Sequence, residues 1–200
     1  MIPGLPQSSV VRQMLPKKAI YEKFCFTNSE KAKFDQSVHR MTIVAEVSPK
    51  TVNIAPGKEV KSFYIIEVEL QSKKYDRKSI ESIFRLIDQN IVLILLFKKQ
   101  CRLAVFKEAL LEGDWIDADS LSFDLTGLDL DTVWENIIKR IGNIEVVGEI
   151  TLGEQINRDL EQRKLQQQID ALDKKMRVEK QPRVKRELYG ELQALKEKKE

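Results

Sequence analysis

Glu67 and Glu69 stand two residues apart within a β-branched, apolar run, residues 62–71. Side chains at i and i+2 of a strand share a face. The two carboxylates could therefore hold one Mg²⁺ and promote phosphodiester hydrolysis. Such a site wants a lysine two residues after the second acid, and Gln71 has that place; Lys73 and Lys74 come later. The plain alternative is a strand with one charged, solvated face.

A second cluster offers electrostatic chemistry. Residues 173–186 contain seven bases, Lys174, Lys175, Arg177, Lys180, Arg183, Lys185 and Arg186, against two acids. Close like charges repel unless an anion compensates them, and nucleic-acid phosphate is the common one. The plain alternative is a soluble hairpin tip. Only Tyr189 adds an aromatic ring nearby, so base stacking on single strands is not indicated. Residues 108–135 are opposite in character, with nine acids and no base. They would suit a basic partner or imitate DNA, but solvated loop acids are the simpler reading. Asp129 and Asp131 fit the front of a helix through its dipole.

Other reactive residues are few. Two cysteines, Cys25 and Cys101, and one histidine, His39, exclude a Cys/His zinc cage and a disulfide framework. Both cysteines read as small buried hydrophobes. His39 reads as a helix-end residue whose charge suits the dipole. The eight glycines are too scattered for a phosphate-binding loop. No metal and no cofactor is expected.

These residues need a scaffold. A chain of 200 residues, 42% hydrophobic, supplies one domain with an appendage. No apolar run approaches the ~18 residues that cross a bilayer. The N-terminal residues lack the basic and apolar regions of a signal peptide. A cytoplasmic protein without membrane contact is expected.

Residues 1–16, with Pro3, Gly4, Pro6 and Pro16, read as an extended arm draped on the domain. Helices are predicted over 17–26 and 30–39, the second capped by Asn28 or Ser29. Strands are predicted over 41–47, 51–54 and 62–71. Asp76 caps a helix of about four turns with Ile80, Ile83, Phe84 and Ile87 inward, closed by Asn90. Residues 91–97 are apolar throughout, a strand buried on both faces. Strand, helix and strand make a βαβ unit. A tight turn at 98–100 leads to an antiparallel strand over 101–106. Residues 108–128 read as an acidic loop anchored by Trp115. Thr132 and Glu135 have capping-box spacing, before a helix that buries Trp134, Ile137, Ile138 and Ile141 and stops at Gly142. Residues 144–147 add a short strand, and the globular part ends near Gly148.

Beyond residue 154 the composition turns to Gln, Lys, Glu, Arg and Leu. Leu165, Ile169, Leu172 and Met176 keep a coiled-coil seam. Its continuation would put Glu179, Arg183 and Arg186 on the apolar stripe, and Pro182 disfavours helix at Gln181. Leu188, Leu192 and Leu195 begin a new register. Two helices in an antiparallel hairpin are preferred over one long kinked helix.

Several segments, taken in order, resemble a known family. They are Gly4-Leu5-Pro6 with Leu15 to Tyr21; Ser48-Pro49-Lys50-Thr51-Val52-Asn53; and Gly57-Lys58-Glu59-Val60. Glu67 to Leu70, Leu86-Ile87-Asp88, Gly127 to Asn136 and Glu179-Lys180-Gln181 complete the set. Together they resemble the bacterial family called Domain of Unknown Function number 4391, over nearly the whole chain. The family's usual proline before the buried strand is replaced here by Ile91-Val92. The resemblance implies accessory products of restriction-like or phage-defence loci that also encode DNA methyltransferases and helicases.

The expected fold is α+β, a mixed sheet with a βαβ unit flanked by helices, plus a C-terminal antiparallel coiled-coil hairpin. The expected domains are 1–150 and 151–200. The expected function is a non-enzymatic interaction subunit docking on a helicase- or methyltransferase-type partner or on DNA through the basic hairpin. One alternative is a degenerate metal-dependent nuclease using Glu67, Glu69, Gln71 and Lys73. The order helix, three strands, helix, strand is that of the restriction-nuclease core, although its second-strand aspartate has no counterpart in residues 50–54. Another alternative is self-association through the heptad seam.

Overall fold

A computed structural model describes residues 3–145 and 150–197, which fall into two units, Met1–Glu145 and Val146–Glu200. Among the described residues of the first unit, seven strands form one sheet: β1 (Val10–Leu15), β2 (Val38–Val47), β3 (Phe63–Leu70), β4 (Asn90–Phe97), β5 (Gln100–Phe106), β6 (Leu110–Glu112) and β7 (Ile116–Asp117). Their order is β1-β2-β3-β4-β5-β6, with β7 also paired to β5. Neighbours run antiparallel except β3 and β4, which are parallel from Phe63↔Asn90 to Glu69↔Leu96. The helices of this unit are α1 (Lys17–Lys23), α2 (Asn28–Ser37), α3 (Pro49–Val52), α4 (Arg77–Phe84) and α5 (Leu130–Gly142). This is the expected mixed α+β sheet with its βαβ unit.

Alternation along β3 explains how both faces are covered. Ile66, Val68 and Leu70 join Met41, Ile43, Leu93 and Leu95 in one core, closed by Ile20 of α1, Phe34 of α2, and Ile80 and Ile83 of α4. Phe63 and Ile65 point to the other face, where the Phe63 ring lies 5.2 Å from that of Trp134 on α5. Residues 91–95 of β4 are buried at every position, as a parallel strand covered on both faces requires. Phe97 is only partly buried, because it stands at the two-residue turn where Lys98 takes φ 56°.

Local elements depart from the sequence reading where side chains bond to nearby backbone. Residues 51–54 do not form a strand. Thr51 Oγ1 accepts from Ser48 N–H at 2.9 Å and donates to the Glu46 carbonyl at 2.8 Å. With Pro49 in the first turn, these bonds wind α3 despite the β-branched residues. Thr27, rather than Asn28 or Ser29, caps α2 in a reciprocal box with Glu30. Asp129, rather than Thr132, caps α5, since its carboxylate accepts from Thr132 N–H at 2.9 Å. A bulge between Val38 and Arg40 starts β2 early, so His39 lies in a strand and not at a helix end.

The crossover helix α4 spans Arg77–Phe84, two turns rather than four. Residues 85–89 are needed to bring Asn90 back beside Phe63 for the parallel pairing. The acidic loop holds β6, β7 and a 3-10 turn at Ala118–Ser120. Cys25 is exposed at φ 49° in the α1–α2 turn, whereas Cys101 is buried. Ile144 lies in no regular element; Val146, Val147 and the expected boundary at Gly148 fall outside the described residues.

The second unit is a helical hairpin. Thr151 and Glu154 form a capping box that starts α6 (Leu152–Val178), and α7 is Pro182–Glu197. The break falls at residues 179–181, as the seam and Pro182 predict. The two helices pack on each other, and Ile169 and Leu192 are the most buried seam residues.

Candidate functional site

Glu67 and Glu69 do share a face of β3, next to the parallel strand β4. Both are half-buried. Burial, and then the neighbouring Glu69 charge, hold the Glu67 carboxyl above the usual carboxylate range, against a smaller opposing pull from Arg40. The Arg40 guanidinium, opposite on β2, hydrogen-bonds and ion-pairs with Glu69. Gln71 is exposed, with its amide nitrogen 3.4 Å from His39 Nδ1. The Lys73 ammonium lies 5.2 Å from the centre of the Trp115 ring. Among the described residues, no group of three His, Cys, Asp or Glu is placed to hold a metal ion. The arrangement thus joins an arginine to one carboxylate and leaves the other half-buried beside it. Cys101 is held in its thiol form, chiefly by burial.

Sequence reasoning missed a polar knot beside this strand. Glu112 accepts from the Tyr75 hydroxyl and pairs with Arg77 at 3.1 Å and Arg102 at 3.8 Å. Arg102 also donates to the Gly113 carbonyl at 2.9 Å and stands 5.4 Å from the Trp115 ring centre. Burial and the Glu112 bond push the Tyr75 hydroxyl up to about 12. Every member has partners, so the knot ties the β3–α4 connection to β5 and β6 rather than offering a free reactive group.

The acidic stretch is largely consumed inside the fold. Glu112 belongs to the knot. Asp117 caps the 3-10 turn, Asp124 accepts from Thr126, Asp129 caps α5, and Glu135 pairs with Lys139 at 3.5 Å. Asp131 accepts N–H bonds from Lys58 at 2.6 Å, Glu59 at 3.2 Å and Val60 at 2.7 Å. A Cβ on Gly57 would come within 2.1 Å of that carboxylate, so only glycine lets the loop close on it. Likewise Gly4, at φ 87°, would bring a Cβ within 1.8 Å of the Phe123 carbonyl. The Gly4, Ser48, Gly57 and Gly127 segments thus meet one another: Phe123 N–H bonds to Pro3, Leu130 N–H to Ala55, and the Ser8 hydroxyl to Thr51. They are joints of the fold.

The basic stretch behaves differently. Lys174, Lys175 and Arg177 lie in the last two turns of α6, Lys180 in the bend, and Arg183, Lys185 and Arg186 in the first two turns of α7. All seven are exposed. Arg177 pairs with Asp173 at 2.8 Å. Among the described residues, Lys174, Lys175, Lys180, Lys185 and Arg186 make no ion pair. The other acid, Glu179, accepts from the N–H groups of Lys180 and Gln181, both at 2.8 Å. It clamps the bend just before Pro182, which has no N–H to offer. The sequence signal for this clamp is an acid two residues before a Gln-Pro break.

Body and arm together define a small α+β protein with a basic helical hairpin. The family described as Domain of unknown function (DUF4391) matches residues 4–198, and the chain belongs to it. No curated protein and no solved structure matches the chain. Among the described residues, no helix is long and apolar enough to cross a membrane.

Proposed function

We propose that the chain is a non-enzymatic accessory protein whose helical hairpin makes the contact with a larger DNA-processing partner or with its DNA. One observation carries the reading. Six acids of the 108–135 stretch, Glu112, Asp117, Asp124, Asp129, Asp131 and Glu135, are engaged in caps, loops and pairs, whereas five bases of the hairpin tip are exposed and make no ion pair among the described residues. Uncompensated charge steers association with a partner of opposite sign. A helicase- or methyltransferase-type partner in a cytoplasmic, restriction-like or phage-defence setting is what the family resemblance implies. The test is a pull-down of the tagged chain from its native host, with and without nuclease. We expect capture of such a partner, or of nucleic acid, to fall sharply when Lys180, Arg183, Lys185 and Arg186 are changed to Glu. Capture equal in both forms would count against the hairpin.

A second reading, a degenerate metal-dependent nuclease, draws on the shared face of Glu67 and Glu69. A divalent cation there would offset the burial and, second to it, the Glu69 repulsion that together raise Glu67. Against it stand the engagement of Glu69 by Arg40 and of Lys73 by Trp115. Plasmid DNA incubated with the protein and Mg²⁺ or Mn²⁺ should stay intact. Cleavage that disappears in Glu69→Gln would establish the nuclease reading instead.

A further inference from the structure

We infer that the hairpin tip takes the phosphodiester backbone of a double-stranded nucleic acid. This rests on the proposed role of the hairpin as the contact arm and names what the arm touches. The first argument is helix electrostatics. A helix C-terminus favours cations, so Lys174, Lys175 and Arg177 on α6 are placed where the helix alone would want them. The start of α7 is the opposite case. That end favours acids, yet its first turn carries none and holds Arg183 and Lys185; Arg186 and the acid Glu187 follow in the second turn. The helix dipole gives Lys185 no favourable place there; an anionic ligand does.

The second argument separates nucleic acid from protein. Protein interfaces build their centres from apolar and aromatic side chains and deplete lysine. The apolar seam is turned inward, with Ile169 7% and Leu192 3% exposed. Across residues 174–186 the one large apolar side chain open to solvent is Val178, 77% exposed. Besides Gln181, Pro182 and the partly exposed Glu179, the polar surface there is four lysines and three arginines, suited to phosphate rather than to a hydrophobic anchor.

The third argument separates duplex from single strand. Recognition of single strands uses aromatic platforms for unstacked bases. No aromatic residue lies in 174–186, and the hydroxyl of Tyr189 accepts from Gln193 at 2.9 Å along α7. What is offered is a basic tip, its bend clamped by Glu179, that can lie against a regular line of phosphates. The ligand chemistry common to duplex DNA and duplex RNA is that line.

The test uses the full chain with labelled duplexes of about 20 base pairs, DNA in one arm and RNA in another, and a thymidine oligonucleotide of equal length. The expected result is duplex binding without sequence preference, tighter than to the single strand. About five engaged phosphates give a log–log salt slope of about −4.5 on duplex DNA. The reversal K180E/R183E/K185E/R186E should weaken duplex binding by about a hundredfold or more. The swap K174R/K175R/K180R/K185R should retain it, because charge and not residue identity is required. Far-ultraviolet circular dichroism checks that both variants keep their helices; if the reversal variant loses helicity, K174Q/K175Q replaces it, with a smaller loss of duplex affinity expected. Tighter binding to the single strand, or duplex affinity indifferent to the tip variants, would overturn the inference. So would absence of duplex binding, and the pull-down then separates two cases. Partner capture that persists in the wild type and is lost on reversal makes the tip a protein contact and leaves the accessory role standing; capture unaffected by reversal removes both.

Discussion

Glu67 and Asp131 are carboxylates that the fold treats in opposite ways. Glu67 is half-buried on β3, and burial raises it above the usual carboxylate range. Folded, it keeps its proton to higher pH than in the unfolded chain. Its effect is therefore absent below the unfolded value, and stability falls as pH rises from there through the folded value. Glu67→Gln should raise the melting temperature at neutral pH. The advantage should shrink to nothing below the carboxylate range; a gap between the two melting curves that does not change with pH would sink the idea. Asp131 is lowered, above all by its bond from Val60 N–H, with Lys58 and Glu59 adding to it. Its contribution is present above the unfolded value and is lost as pH falls through the folded one. Asp131→Asn should lower the melting temperature at neutral pH and converge with the wild type in acid. If Asp131→Asn melted like the wild type at neutral pH, the carboxylate would not be closing the 57–60 loop. The acids themselves were visible in the sequence. Their fates were not, because a bulge between Val38 and Arg40 sets the register that puts Arg40 opposite Glu69, and Asp131 reaches a loop more than 70 residues away.

At the scale of elements, the sequence was readable where burial sets a period. Alternation in β3, the unbroken apolar run of β4 and the inward face of α5 all follow from which face meets the core. Short elements were not readable. In α3, hydroxyl-to-backbone bonds defeat β propensity, and the length of α4 depends on the register between the two strands that it joins. The hairpin was readable because Pro182 and the change of seam register agree. Most helical stability in proteins comes from packing an apolar face rather than from propensity, so the contact between α6 and α7 should decide whether either persists. Ile169→Asp puts a charge at the buried centre of that contact. We expect loss of far-ultraviolet helicity on the scale of both hairpin helices, while slow amide exchange in β3 and β4 persists. Unchanged helicity in that variant would mean that the seam does not hold the pair.

Across the whole molecule, charge is divided by use rather than by amount. Residues 1–150 hold 21 bases and 21 acids, and residues 151–200 hold 13 and 10. The net charge of +3 is thus modest, and non-specific attraction to a polyanion could in principle come from anywhere on the surface. If the tip is the contact, location must matter more than total. Each Lys- or Arg-to-Glu reversal removes two charges, so four of them take the formal net charge from +3 to −5 wherever they are made. Lys33, Lys50, Lys74 and Lys107 are exposed positions of the first unit that suit the comparison. If the tip makes the contact, reversing these four should leave duplex affinity within a few-fold of the wild type, since charges that do not meet the phosphates act only through a field screened over about 8 Å at physiological salt. Reversing Lys180, Arg183, Lys185 and Arg186 should remove most of it at the same net charge. The measurement is fluorescence anisotropy of one labelled DNA duplex with both variants at matched salt. Equal losses in the two would show that the chain responds to total charge and has no dedicated basic tip.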